Sequence, residues 1–381
     1  MNWLAIKMLV GDRLKYIGLI AGMAFAAMMI AQQCSIFVGL KNQTTTFIRE
    51  NAGVDLWVMD DQVRFSEDQV GLPETTVQRI RSVEGVEWAV PLYKSWLRAR
   101  LADGTRMLVI VVGIDDATLV GSPGKIVEGA LGDLRQEGAV FVDVKDKATK
   151  LKLTRAGRDL AIGDSFSIND HDVRVVGAYS SPASFFWDPV IYTTYSRALQ
   201  MSPRERNLMS FVMVKVKPGV DVAEVRARIE ERTRFVARTP EEFEGITSAF
   251  ILEKTGILVN FGIAVSLGLL IGVIVTGQTF FQFTVDNLRY FASLKAMGAR
   301  SITLIGMVFT QVLAATAIAF GVGVGAASAF GWFIRQTDLA FEMPWYVPAA
   351  TALAMLGVGL GAGMLSLVRV LRLEPGVVFK G

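Results

Sequence analysis

The sequence predicts a membrane protein of four transmembrane α-helices with a large α+β domain between helices 1 and 2. Stretches 17–40, 256–282, 304–334 and 347–368 contain no Asp, Glu, Lys, Arg or His, and each is long enough to span a bilayer, which takes about 20 residues. The composition agrees: 52% of the 381 residues are hydrophobic and the mean hydropathy is +0.41, too apolar for an ordinary soluble protein. Between the first two stretches, residues 41–254 are polar and alternate strand-like with helix-like patterns.

Taken in order, residues 1–16 mix Trp3, Leu4, Ile6, Met8 and Leu9 with Lys7, Arg13 and Lys15, as an interfacial helix does. Stretch 17–40 is too long for a signal-peptide core and has no small-x-small cleavage site ahead of a polar region, so it reads as a retained first span. In the polar domain, strands are expected at 54–59, 139–142, 165–168, 173–179, 190–193 and 210–217. A hairpin joins 88–101 to 105–114 around Asp103-Gly104. Helices are expected at 73–83, with Pro73 in the first turn, and at 222–233, whose Glu/Arg pairs form a solvated face. Pro240 begins a helix expected to run unbroken into the second span at 256–282. A linker at 283–303, a third span at 304–334, a short loop at 335–346, a fourth span at 347–368 and a tail at 369–381 complete the chain.

Orientation follows from lysine and arginine in the short segments. Lys7, Arg13 and Lys15 precede the first span; Arg289, Lys295 and Arg300 lie in the linker; Arg369, Arg372 and Lys380 lie in the tail; the 335–346 loop carries Arg335 alone. Both termini and the linker are therefore expected in the cytoplasm, with the large domain outside.

Composition also excludes several activities. A net charge of +3 gives no basic footprint for nucleic acid. The single histidine, His171, sits in the turn-like Asn169-Asp170-His171-Asp172, and the single cysteine, Cys34, reads as a packing residue of the first span. A metal cluster or a nucleophilic triad would have to be built around His171 alone. Gly121-Ser122-Pro123-Gly124-Lys125-Ile126 lacks the spacing of a phosphate loop and the hydroxyl residue after its lysine. Spans without ionisable groups argue against a proton- or ion-driven carrier working alone. Gln32, Gln33, Asn260, Gln278, Gln282 and Gln311 read as interhelical hydrogen-bond partners. Glycines recur four apart at Gly18 and Gly22, Gly268 and Gly272, Gly321 and Gly325, Gly357 and Gly361, and Gly359 and Gly363, a spacing that lets helices approach closely within a bundle or across a dimer.

In the linker, Leu288, Phe291, Ala292 and Leu294 fall at helical spacings and Gly298 stands where the helix would stop. The string Tyr290-Phe291-Ala292-Ser293-Leu294-Lys295-Ala296-Met297-Gly298-Ala299-Arg300 resembles the segment after the second span in permeases of the FtsX-like and MacB-like ABC transporter superfamily, most of all its DevC-like branch. Ser293 replaces that branch's usual threonine, Phe291 its tyrosine, and Tyr290 stands where a glutamate is frequent. The resemblance implies a permease subunit with no catalytic site or cofactor of its own, ATP and Mg being bound by a separate ATPase. That ATPase would dock on the linker, with Leu288, Phe291, Leu294 and Met297 filling its groove, Arg289, Lys295 and Arg300 at the rim, and Gly298 ending the helix. It further implies a homodimer in the lipid of a bacterial inner membrane, with the large domain in the periplasm and porter-like with an inserted lobe near Asp116 to Arg206. It also implies a periplasmic adaptor and an outer-membrane channel, exporting a lipid, peptide or drug by mechanotransmission. The alternative of another class is an FtsX-like signalling or division scaffold that uses the same motion to regulate a periplasmic partner.

Overall fold

The structure, a computed structural model, describes residues 2–371 apart from 52, 69, 154–156, 204–207 and 338. Arg372, Glu374, Pro375 and Lys380 of the expected tail lie outside the described residues. In chain order, α1 (Asn2–Gly11), α2 (Arg13–Gln43) and α3 (Thr46–Glu50) lead to β1 (Leu56–Met59), α4 (Thr75–Arg81), β2 (Val86–Arg100) and β3 (Arg106–Ile114). Then come β4 (Ile126–Glu128), β5 (Ala139–Asp143), α5 (Val144–Ala148), β6 (Ser165–Ile168), β7 (His171–Tyr179) and β8 (Val190–Thr194). The large domain ends with α6 (Tyr195–Met201), β9 (Phe211–Val216), α7 (Val222–Thr233), β10 (Val236–Arg238) and α8 (Pro240–Lys254). Four helices follow: α9 (Ile257–Asp286), α10 (Leu288–Ala296), α11 (Ser301–Phe333) and α12 (Tyr346–Leu371). Contacts divide the chain into two compact units, residues 1–40 with 255–381, and residues 41–254.

The first unit holds the transmembrane helices α2, α9, α11 and α12, each long and apolar enough to cross a membrane. Their shared core includes Met23, Ala27, Phe280, Met307, Val312, Ala315 and Met355. Alanine and glycine at the crossings let backbones approach, which is how helices associate where lipid removes most of the hydrophobic drive. Gln311 is buried and its Nε2 donates to the carbonyl of Ala5 at 2.9 Å, so one expected polar partner ties α11 to α1. A helix unbroken from Pro240 into the second span does not form: α8 stops at Lys254 and α9 starts at Ile257, with Gly256 at φ +65°. That left-handed conformation is open to glycine and interrupts the helical ladder. The second span also runs four residues further than the expected 282, ending at Asp286.

The glycine pairs separate into two groups. A Cβ on Gly22 would meet Val275, one on Gly272 would lie 2.8 Å from Ala26, and Gly268 faces Met29 at 3.4 Å. Gly359 and Gly363 stand against Thr316 and Val312, and Gly323, outside every expected pair, would put a Cβ 2.5 Å from the Ala24 carbonyl. Gly18, Gly321, Gly325, Gly357 and Gly361 face open space within the chain, which corrects their reading as contacts of this bundle. Gly323→Leu is expected to destabilise the bundle by about 1–3 kcal/mol through overpacking against backbone, whereas Gly357→Leu leaves the isolated chain's stability unchanged. Thermal unfolding of both variants in detergent checks this; equal midpoints would remove the packing role of Gly323.

The large domain is built around β2, a 15-residue strand serving two lobes. Its first half pairs with β9 in an antiparallel sheet ordered β10-β1-β9-β2. Its second half pairs with β3 on one side and β6 on the other. From β3 the pairings continue through β8, β5, β7 and β6 back to β2, so six strands close a ring with no free edge among them. Val109, Val111, Val140, Val175 and Ile191 fill its interior. Two turns set the hairpins: Gly104 at φ +86°, and Asn169 and Asp170 at φ +44° and +66°. Both residues of the second turn have the positive φ of the tight type I′ hairpin.

Candidate functional site

The linker helix α10 is fixed at both ends by its sequence. Asn287 closes α9, its Nδ2 donating to the Phe283 carbonyl at 2.8 Å. At the other end Gly298 lies at φ +93°, the Gly298 amide donates to Lys295 and the Ala299 amide to Leu294. That is the Schellman stop, in which a left-handed glycine lets two amides satisfy carbonyls of the last turn.

The helix is amphipathic, and its apolar side belongs to its own bundle. Phe291 and Ala292 are buried in the core containing Leu304, Met307 and Val308, and Leu288 and Leu294 are half-buried against the same core. The expected exposed row of Leu288, Phe291 and Leu294 is therefore corrected: once Ser301–Phe333 turns back as α11, these side chains have a partner within the chain. The outward face consists of Arg289, Tyr290, Ser293, Met297 and Arg300, with Tyr290 63% and Met297 76% exposed. Lys295 is half-buried. Tyr290 and Ser293 were not marked by the apolar periodicity, because they lie opposite it.

A second wall of this surface comes from α1. Leu4, Lys7 and Met8 face Tyr290, Leu294 and Met297 across a cavity of about 580 Å³. At its rim Lys15 Nζ lies 2.6 Å from Asp286 and 3.3 Å from Asp12. Both contacts are exposed and screened by solvent, so they add little stability. Their effect is to join the start of α2 to the end of α9. The site can accept an apolar side chain of a partner between Met8 and Met297, with Lys7 and the cluster of Lys15, Asp12 and Asp286 around it.

In the large domain the strongest polar feature is buried. Lys94 is 5% exposed, its Nζ is 2.7 Å from Glu67 and 3.8 Å from the centre of the Phe47 ring. Burial pushes the Lys94 ammonium below the ordinary lysine range, while Glu67 and then Glu50 pull it back. Burial raises the Glu50 carboxyl, against a hydrogen bond from Ser181. His171 is exposed beside the β6–β7 turn.

Four spans, a short amphipathic linker and one large external domain define a permease-type membrane subunit. A family model described as MacB-like periplasmic core domain matches residues 17–232, and one described as FtsX-like permease C-terminal matches residues 262–375. The chain belongs to the FtsX/MacB-like family of ABC transporter permeases. No curated protein matches it. Among solved structures, the extracellular domain of the noncanonic ABC-type transporter YknZ from Gram-positive bacteria shares 16% identity at TM-score 0.36, covering 48% of this chain and 92% of that one. The periplasmic region of MacB from Actinobacillus actinomycetemcomitans shares 15% identity at TM-score 0.39, covering 52% and 94%. A domain of a putative permease protein from Porphyromonas gingivalis shares 16% identity at TM-score 0.32, covering 48% and 85%.

Proposed function

We propose that this permease is the non-catalytic membrane half of an exporter of the DevC-like branch, and that a separate ATPase, binding ATP and Mg, docks on α10. The observation that carries the reading is the division of the linker: Phe291 and Ala292 lock α10 to the bundle, while Arg289, Tyr290, Ser293 and Met297 face outward. A helix held this rigidly transmits displacement to α9 and α11, to which it is joined directly. Closure of the ATPase dimer would then move the periplasmic domains of a homodimer by mechanotransmission, with no substrate passing between the spans. Gly357 and Gly361, over which the chain leaves open space, are free for the second copy. The polar domain of residues 41–254 gives an adaptor and an outer-membrane channel a large surface, which favours export of a lipid, peptide or drug over a regulatory scaffold. Co-purification of the ATPase with the detergent-solubilised permease tests the docking.

Orientation in the inner membrane has its own test. In a chain whose Cys34 is replaced by alanine, a membrane-impermeant thiol reagent is expected to label a cysteine introduced at Asp170 once the outer membrane is permeabilised, and not one at Arg300. Labelling at Arg300 would place the linker outside and end the docking scheme.

A further inference from the structure

The second half of β2 and the start of β3 carry an unusual charge arrangement. Alternate residues of a strand share a face, and the register sets Arg98 opposite Leu108 and Arg100 opposite Arg106, so three arginines and a leucine stand together. All four are exposed. Like charges directly opposite on a sheet destabilise it, and among the described residues no carboxylate forms an ion pair with any of the three arginines. Arg64, Arg158 and Arg226 of the same domain do end on Asp68, Asp164 and Glu242. Without a carboxylate partner among the described residues, the Arg100/Arg106 pair is a cost that a bound anion would remove.

The surface around them is concave and its floor is rigid. Arg98, Arg100 and Arg106 line a cavity of about 770 Å³ together with Met107, His171 and Met201, and Asp170 is its one carboxylate among the described residues. An adjoining cavity of about 670 Å³ shares Arg98 and Leu108 and adds Trp96. The floor is tied by Asn169, whose Oδ1 accepts from the Arg98 amide at 3.2 Å and whose Nδ2 donates to the Met201 carbonyl at 2.9 Å. Trp96 is oriented by donating to Asp188 at 3.0 Å, which also occupies the acid bordering that end.

We propose that this groove binds an amphiphilic anion bearing a phosphate group. Arg100 and Arg106 would hold the phosphate, because guanidinium forks match its oxygens two at a time. Its apolar chain would lie along Leu108 toward Trp96, the surface a bare ion leaves unused. Nothing in this assignment depends on the linker or on ATP, so it stands or falls separately from ATPase docking.

The test is calorimetric titration of the full-length permease in nanodiscs of zwitterionic lipid. The probes are dihexanoyl phosphatidic acid, dihexanoyl phosphatidylcholine and inorganic phosphate. Saturable binding of the phosphatidic acid is expected, with inorganic phosphate at least roughly tenfold weaker and phosphatidylcholine inert. Arg100→Gln and Arg106→Gln are each expected to weaken the phosphatidic acid by about tenfold or more, the loss that one charge-assisted contact produces. Arg232→Gln, an exposed arginine on α7, leaves binding unchanged. Removing either member of the like-charged pair should raise the unfolding midpoint of the domain, or leave it unchanged, so lost binding cannot be put down to misfolding. Variants that bind like the parent overturn the site, and inorganic phosphate that binds as tightly as the phosphatidic acid overturns the amphiphile.

Discussion

Replacing Lys94 with methionine destabilises the periplasmic domain by about 3–5 kcal/mol, the usual consequence of removing one partner of a buried ion pair. Lys94 and Glu67 have side-chain exposures of 4% and 9% and meet at 2.7 Å, and Ser66 Oγ donates to the second Glu67 oxygen at 2.6 Å. Without the ammonium, that carboxylate stays desolvated with a single hydroxyl donor, and the Phe47 ring loses the cation above it. The pair itself adds little net stability, since the desolvation of both charges offsets their attraction. The double variant Lys94→Met with Glu67→Leu is therefore expected to recover most of the loss. Hydrogen exchange of the β2 and β9 amides in the full-length protein reads the effect, because opening of the central sheet exposes both strands. Protection unchanged in Lys94→Met, or a double variant as unstable as the single one, would show that the pair is solvated.

Much of this architecture was legible because it rests on patterns of short range. The spans are charge-free runs, and no packing detail is needed to see that 304–334 cannot sit in water. The hairpins at Gly104 and at Asn169-Asp170 follow from residues that tolerate positive φ. Non-local pairing left no such trace: the parallel registers of β3 with β8 and β5 with β7, which close the ring, join strands far apart in the chain. Lys94 was equally hidden, since a lysine within an apolar strand looks like a solvated position until Glu67 from another segment reaches it. Gly256 was masked by its setting, because glycine is common in membrane helices and only its φ shows that this one interrupts the run.

The linker shows the same limit at the candidate site. An apolar edge at helical spacing establishes that a helix buries one side, without identifying what covers it. Leu288, Phe291 and Leu294 would read identically against an ATPase or against α11, and the structure places them on the chain's own core. Leu294→Asp would thus put a charge against the bundle as well as near any partner, and loss of ATPase from that variant would not distinguish docking from damage.

The informative substitution is at Met297. It is 76% exposed, it lies beyond the last turn of α10, and with Leu4, Met8 and Tyr290 it lines the cavity between linker and N-terminal helix. A partner side chain entering there would be desolvated against a thioether and an aromatic ring, the kind of anchor whose loss costs about 2 kcal/mol or more. Met297→Asp adds a carboxylate to that contact, so ATPase co-purification is expected to fall by about thirtyfold or more, with yield and melting of the permease unchanged. Phe291→Asp, with the same charge two turns earlier on the buried side, should instead lower the yield of inserted protein. Lys295→Ala should cost about 1 kcal/mol or less, the range of rim charges. If Met297→Asp retains its ATPase as well as the parent while Phe291→Asp behaves as described, α10 is a structural turn of the bundle and force enters this permease elsewhere.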